Sequence, residues 1–214
     1  YGVLESFNLL IPRFMGGGST EELDTDSEIY KAYKAMGANT LQARNEIKRV
    51  PMYWGKQPIV EAPAYVGAVS IFLFLLALTL YREQHKYWLI SAIIISLLLS
   101  FGKNLSFLTD LFIDYIPLYN KFRAVSSIQV ILELCVPLLA MLGLSKFFDE
   151  EISKSQKLQA LKYASFSILG LTTIFLLFKN SLFDFVGLRD GQYQNFYGID
   201  FVNALRKDRI QLFT

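Results

Sequence analysis

Cysteine and histidine are almost missing from this 214-residue sequence, which holds one of each, Cys135 and His85. A single cysteine excludes an intrachain disulfide, and a single histidine excludes a histidine-rich metal centre built within the chain. Charge is scarce too: Asp, Glu, Lys and Arg make up 19% of the residues, against about 25% in soluble domains. The net charge of +2 is close to balance, so no nucleic-acid partner is expected. The chain opens on Tyr1 with no basic stretch ahead of an early apolar run, so no signal peptide is read.

What is present in excess is apolar surface. Hydrophobic residues make up 53% of the chain, and the mean hydropathy is +0.33. They are concentrated. Ala62–Tyr81 contains no charge, nor do Tyr87–Gly102 and Tyr163–Phe178, and between Arg123 and Lys146 the only charge is Glu133. Uncharged runs of about 18 residues or more read as membrane-spanning helices. The expectation is therefore an all-α, polytopic membrane protein with four transmembrane helices, at 64–80, 87–101, 128–147 and 161–178. The second is short: it spans only if Lys86 and Lys103 snorkel at its ends or the bilayer thins locally, and otherwise reads as a buried core helix. Cys135 falls inside the third and is expected simply to pack.

Direction follows from basic residues in the short connections. Lys and Arg are denser in Arg82–Lys86 and Lys146–Lys162 than in 102–127, which assigns the first two to the cytoplasm. The segment 1–62, the loop 102–127 and the tail 180–214 then lie on the outer side. The segment 1–62 reads as helical, with one helix from a cap at Asp26 to Lys34, ended by Gly37, and a second from a cap at Asn39 to Lys48. Ahead of them, Pro12–Ser19 is a glycine-rich loop, either a flexible surface loop or one that faces a substrate. In the interfacial tail, Asp200–Arg209 reads as a helix with Val202, Leu205 and Arg209 on one side.

Chemistry concentrates around the outer loop. Leu105–Ile116 has apolar residues at spacings of three and four, with Ser106, Asp110 and Asp114 on another stripe, the pattern of an interfacial amphipathic helix. Asp110 and Asp114 form an acidic site that either ligates a divalent cation, faces Lys121 and Arg123, or is solvated surface. Lys121 and Arg123 stand just before the third span, where the positive-inside bias disfavours cations. They are the candidate binders of a lipid-linked phosphate, with headgroup snorkelling as the plainer role. Glu133, inside the span, should face the bundle interior and have a partner. With Gln129, Ser126 and Pro137 it makes a polar stripe that reads either as a cavity wall or as hydrogen bonding to a neighbouring helix through Ser96 or Ser100.

Five stretches carry a resemblance: IPRFMGGGS (11–19), YWGKQP (53–58), APAYVGA (62–68), SFGKN (100–104) and IPLYNKFRAVSS (116–127). In order and spacing the set resembles the YfhO family of bacterial membrane proteins, in the form common in Bacteroidetes. The resemblance implies a large multi-pass protein of the bacterial inner membrane, similar to the GT-C class of glycosyltransferases, of which this chain is an internal piece. It implies transfer of sugar from a polyprenyl-phosphate lipid carrier to a cell-envelope polymer or lipid on the outer face. The partners are then membrane lipids, the lipid-linked sugar, the acceptor and the remainder of the parent polypeptide. No residue matches the catalytic carboxylate of that class, so the catalytic residue remains unassigned, and no metal ligands are named. A non-catalytic lipid or polymer transporter, or a membrane scaffold, is the alternative.

Overall fold

The computed structural model describes residues 1–121 and 124–213, the side chain of Asn120 apart. It is all-helical, at 69% helix. The helices in chain order are α1 (Glu28–Ala35), α2 (Thr40–Glu46), α3 (Ala68–Leu80), α4 (His85–Ser100) and α5 (Ser106–Tyr115). There follow α6 (Gln129–Phe148), α7 (Lys154–Leu182), α8 (Asp190–Tyr197) and α9 (Ile199–Phe213). They divide into two compact units, one of residues 64–178 with Tyr1, the other of 2–63 together with 179–214.

The first unit is apolar. The parallel helices α3 and α6 form its main contact, and α4 runs back against α6. The close approach of α3 and α6 has a definite cause. A side chain at Gly143 would place its Cβ 2.5 Å from the Cβ and 2.7 Å from the Cα of Ala77. Two small residues thus let the backbones meet, as in membrane helix pairs. Near the same end, Leu76 and Leu80 of α3 pack with Ala160 and Ala164 of α7. By length and composition, Val125–Phe148 and Lys154–Leu182 are each able to cross a membrane. Helices α4 and α5 pass that test only together, and they are bent by 108° at the break between them. Helix α3 has 13 residues, about 20 Å of rise. Two or three helices are therefore long and apolar enough to span, against four expected from hydropathy. The difference lies in α3, which leaves residues 64–67 of its run outside the helix, and in α4, which ends after 16 residues where the chain bends into α5.

The second unit joins segments far apart in the chain. Ile29 of α1 and Phe201 and Leu205 of α9 share one core with Ile47, Val50 and Met52. Ser27, rather than Asp26, caps α1, its hydroxyl accepting the Tyr30 N–H at 3.2 Å. The carboxylate of Asp208 from α9 adds to that cap, accepting the Glu28 and Ile29 N–H groups at 2.8 Å each. Helix α2 has the full capping box of Asn39 and Gln42, and Gly37 ends α1 with φ +92°.

The glycine loop is packed. Phe14 and Met15 are buried. The Met15 carbonyl accepts from Trp54 N–H at 3.0 Å, and its N–H donates to Asn8 Oδ1 at 3.0 Å. Gly16 adopts φ +83°, and a Cβ there would lie 2.2 Å from the Met52 carbonyl oxygen. The glycine therefore meets a close backbone approach, and the flexible-loop reading does not describe it.

Val202, Leu205 and Arg209 do share one side of α9, and all three are buried. Arg209 is held by both carboxylate oxygens of Asp190, at 2.7 and 3.0 Å, and by the carbonyls of Phe185 and Pro51 at 2.9 Å each. Its four bonds explain how a guanidinium occupies a core position.

Candidate functional site

The described candidates, Asp110, Asp114, Lys121, Ser126, Gln129 and Glu133, lie on the stretch from α5 to the first turns of α6, beyond the end of α4. After the bend at Gly102 (φ +48°), the Thr109 hydroxyl donates to the Gly102 carbonyl at 2.9 Å. That bond fixes the first turn of α5 against the break. Helix α5 has no buried residue. Phe107 and Tyr115 are exposed apolar side chains, while Asp110 and Asp114 are exposed one turn apart. A short turn, Tyr119–Lys121, follows. It is tied to α5 by the rings of Phe112 and Tyr119, whose centroids are 5.5 Å apart.

Lys121 is exposed on that turn and forms no ion pair with either aspartate. Among the described residues no group of three or more His, Cys, Asp or Glu side chains is placed to hold a metal ion. Arg123, the other half of the basic pair, lies outside the described residues. Lys121 presents three donors to solvent or lipid beside an apolar helix, an arrangement suited to an anionic group attached to a lipid tail.

The polar stripe on α6 is only partly realised. Ser126 is half-buried, and Gln129 is buried at the α4–α6 contact. There its side-chain amide donates to Ser100 Oγ at 3.2 Å, and Ser100 in turn donates to the Leu97 carbonyl at 2.7 Å. Gln129 therefore takes the interhelical hydrogen bond through Ser100 that was one reading of this stripe. Glu133 does not follow it inward. The buried stripe of α6 runs through Gln129, Leu132, Val136, Leu139 and Gly143. Glu133 is one residue off it, about 100° around the helix, and is exposed between Ile131 and Leu134. Helix α6 continues unbroken through Pro137.

Two features went unread in the sequence. One is the buried Arg209–Asp190 pair. Its only local signal was an arginine on the apolar side of a helix. The other is a charged pocket of about 450 Å³ at the opposite end of the bundle, lined by residues from Thr79 to Tyr163. In the sequence, its basic residues register only as part of the Lys and Arg density of two connections. In the second unit, burial pushes the Tyr53 phenol well above its ordinary range, with Glu5 adding to the effect, and the Tyr33 phenol rises for the same first reason. Both tyrosines stay neutral donors at physiological pH. Comparison with protein-family models, curated proteins and solved structures returns no match for this chain.

Proposed function

We propose that this chain is part of a YfhO-like glycosyltransferase of the bacterial inner membrane. Four spans carry the outer loop, and sugar moves from a polyprenyl-phosphate carrier to an envelope polymer or lipid. The basic pair Lys121 and Arg123 holds the carrier phosphate and offsets charge developing on the leaving group, while the catalytic carboxylate belongs to another part of the parent polypeptide.

The observation that carries the topology is the composition of the second unit. Residues 2–63 and 179–214 fold together, so both ends of the 64–178 bundle emerge on the same side of the membrane. The number of crossings between them must then be even. An even count favours four over three, and two crossings would leave the apolar helices α3 and α4 without a bilayer. Four crossings accommodate all of α3, α4, α6 and α7, with the shorter two spanning through their flanking residues and local thinning. The exposed Lys121 beside α5 supports the phosphate assignment, because the cation and an apolar face for the carrier's tail adjoin.

In the full-length protein, Arg123→Ala is expected to abolish transfer from a polyprenyl-phosphate sugar while membrane insertion is unchanged. Normal turnover in that variant would overturn the phosphate assignment. A cysteine at position 155 should react with an impermeant probe only from the cytoplasmic side; labelling from outside intact cells would invert the topology. The alternative, a transporter or scaffold, draws support from Glu133. A carboxylate on the exposed face of a spanning helix is costly in lipid, and another helix of the parent polypeptide would have to cover it. Absence of any turnover of a polyprenyl-phosphate sugar by the unsubstituted full-length protein favours that alternative.

A further inference from the structure

We infer that the pocket at the other end of the bundle binds the headgroup of a zwitterionic phospholipid with a primary amine, of the phosphatidylethanolamine type. The inference rests on the bundle being embedded in a bilayer and is independent of glycosyl transfer. The pocket lies where α3 and α6 end and α7 begins, and its volume of about 450 Å³ is within the range of small-molecule sites. Apolar side chains, Leu80, Ile152 and Ala160, form part of its wall.

Its charges sort into two sets. Lys146 and Asp149 satisfy each other, with Nζ 3.1 Å from Oδ2, and the other Asp149 oxygen accepts the Glu151 N–H at 3.0 Å. That leaves one guanidinium, Arg82, and two carboxylates, Glu83 and Glu151, lining the pocket with no ion pair among the described residues. One open cation and two open anions complement a ligand that carries a phosphate and an ammonium. The guanidinium fork suits the phosphate, and the carboxylates suit an ammonium with N–H groups to donate.

The same pattern selects among lipids. A choline headgroup has no N–H for Glu83 or Glu151 to accept. An anionic glycerol headgroup would bring its phosphate to a lining whose formal charge is already negative. The tail has a place as well. On α7 the pocket rim at Tyr163, whose hydroxyl accepts from Gln159 at 3.0 Å, leads to exposed Phe166 and Leu169. An acyl chain lying along that face continues from a tyrosine at the depth where such rings meet the headgroup region.

The test uses the whole protein, purified in a neutral maltoside and stripped of lipid, with binding of phosphatidylethanolamine, phosphatidylcholine and phosphatidylglycerol in mixed micelles read by native mass spectrometry. Phosphatidylethanolamine should bind about tenfold more tightly than phosphatidylcholine, the worth of one charge-assisted hydrogen bond. In the double variant Glu83→Gln/Glu151→Gln that preference should fall to near parity, and Arg82→Ala should weaken both lipids together. All three positions are exposed, and a monodisperse size-exclusion profile confirms that each variant is folded. Equal binding of the ethanolamine and choline lipids by the unsubstituted protein, or tighter binding of phosphatidylglycerol, overturns the inference. Soluble phosphoethanolamine that binds as tightly as the lipid overturns the assignment to a membrane lipid.

Discussion

Replacing Arg209 with alanine should unfold the second unit while leaving the apolar bundle intact. The guanidinium makes four hydrogen bonds, two to Asp190 and one each to the carbonyls of Phe185 and Pro51, and the side chains of the pair are 1% and 4% exposed. Truncation strands the Asp190 carboxylate, which keeps only the Gly187 N–H at 3.0 Å. Removing one partner of a buried pair costs about 3–5 kcal/mol. For a unit of roughly 100 residues each kcal/mol moves the thermal midpoint by about 4–8 °C, so the expected fall is roughly 12–40 °C. Trp54 reports it. It is buried against Phe183 and Phe185, with ring centroids at 5.9 and 5.1 Å. Trp88 is the only other tryptophan and is exposed on α4, so a Trp88→Phe background isolates the signal. Arg209→Met/Asp190→Leu, which removes both charges, should recover much of the loss. A melt of Arg209→Ala within about 5 °C of the parent, or a double variant less stable than the single, would refute the account of a charge stranded in the core.

Two further outcomes follow from the geometry. Gly143→Ala should lower the thermal midpoint in detergent by the equivalent of about 1–3 kcal/mol, because its Cβ has no room against the Ala77 backbone. Gly170→Ala, whose Cβ meets nothing within 4 Å, should leave the midpoint unchanged, and equal effects would contradict the α3–α6 contact. The second concerns Asp208. Burial raises its carboxyl above the ordinary value of 3.8, partly offset by the Glu28 and Ile29 N–H groups. The folded state therefore binds the proton before the unfolded state does, and this group adds stability as pH falls from the raised value towards 3.8. In Asp208→Asn that acid-side gain should vanish from a pH series of thermal midpoints; an unchanged slope would remove Asp208 as its source.

Local signals were the legible ones. Asn39 announced the start of α2, and the long uncharged runs announced α6 and α7, because caps and hydropathy are written in adjacent residues. Helix α7 begins at Lys154 and ends at Leu182, beyond the 161–178 read from the sequence, since its polar first turns carry no apolar run. Glu133 shows where periodicity misleads. Gln129 and Glu133 are four apart and share a face in principle, yet the buried stripe of α6 turns through Leu132 and Val136 and leaves Glu133 outside. The two-segment unit could not be read at all. The bonds from Asp208 to α1 span 180 and 179 residues, and nothing local to either partner records the other.

That long span sets a timetable for synthesis. At about 5–20 residues per second, the ribosome delivers Asp208 roughly 10–35 s after Glu28 has emerged. Throughout that interval α1 has the Ser27 part of its cap alone and Ile29 lacks Phe201 and Leu205, while the whole apolar stretch from Ala64 to Phe178 is being made. The segment 2–63 stays incomplete until 179–214 is made, so the second unit can close only after the entire 64–178 stretch has been synthesised.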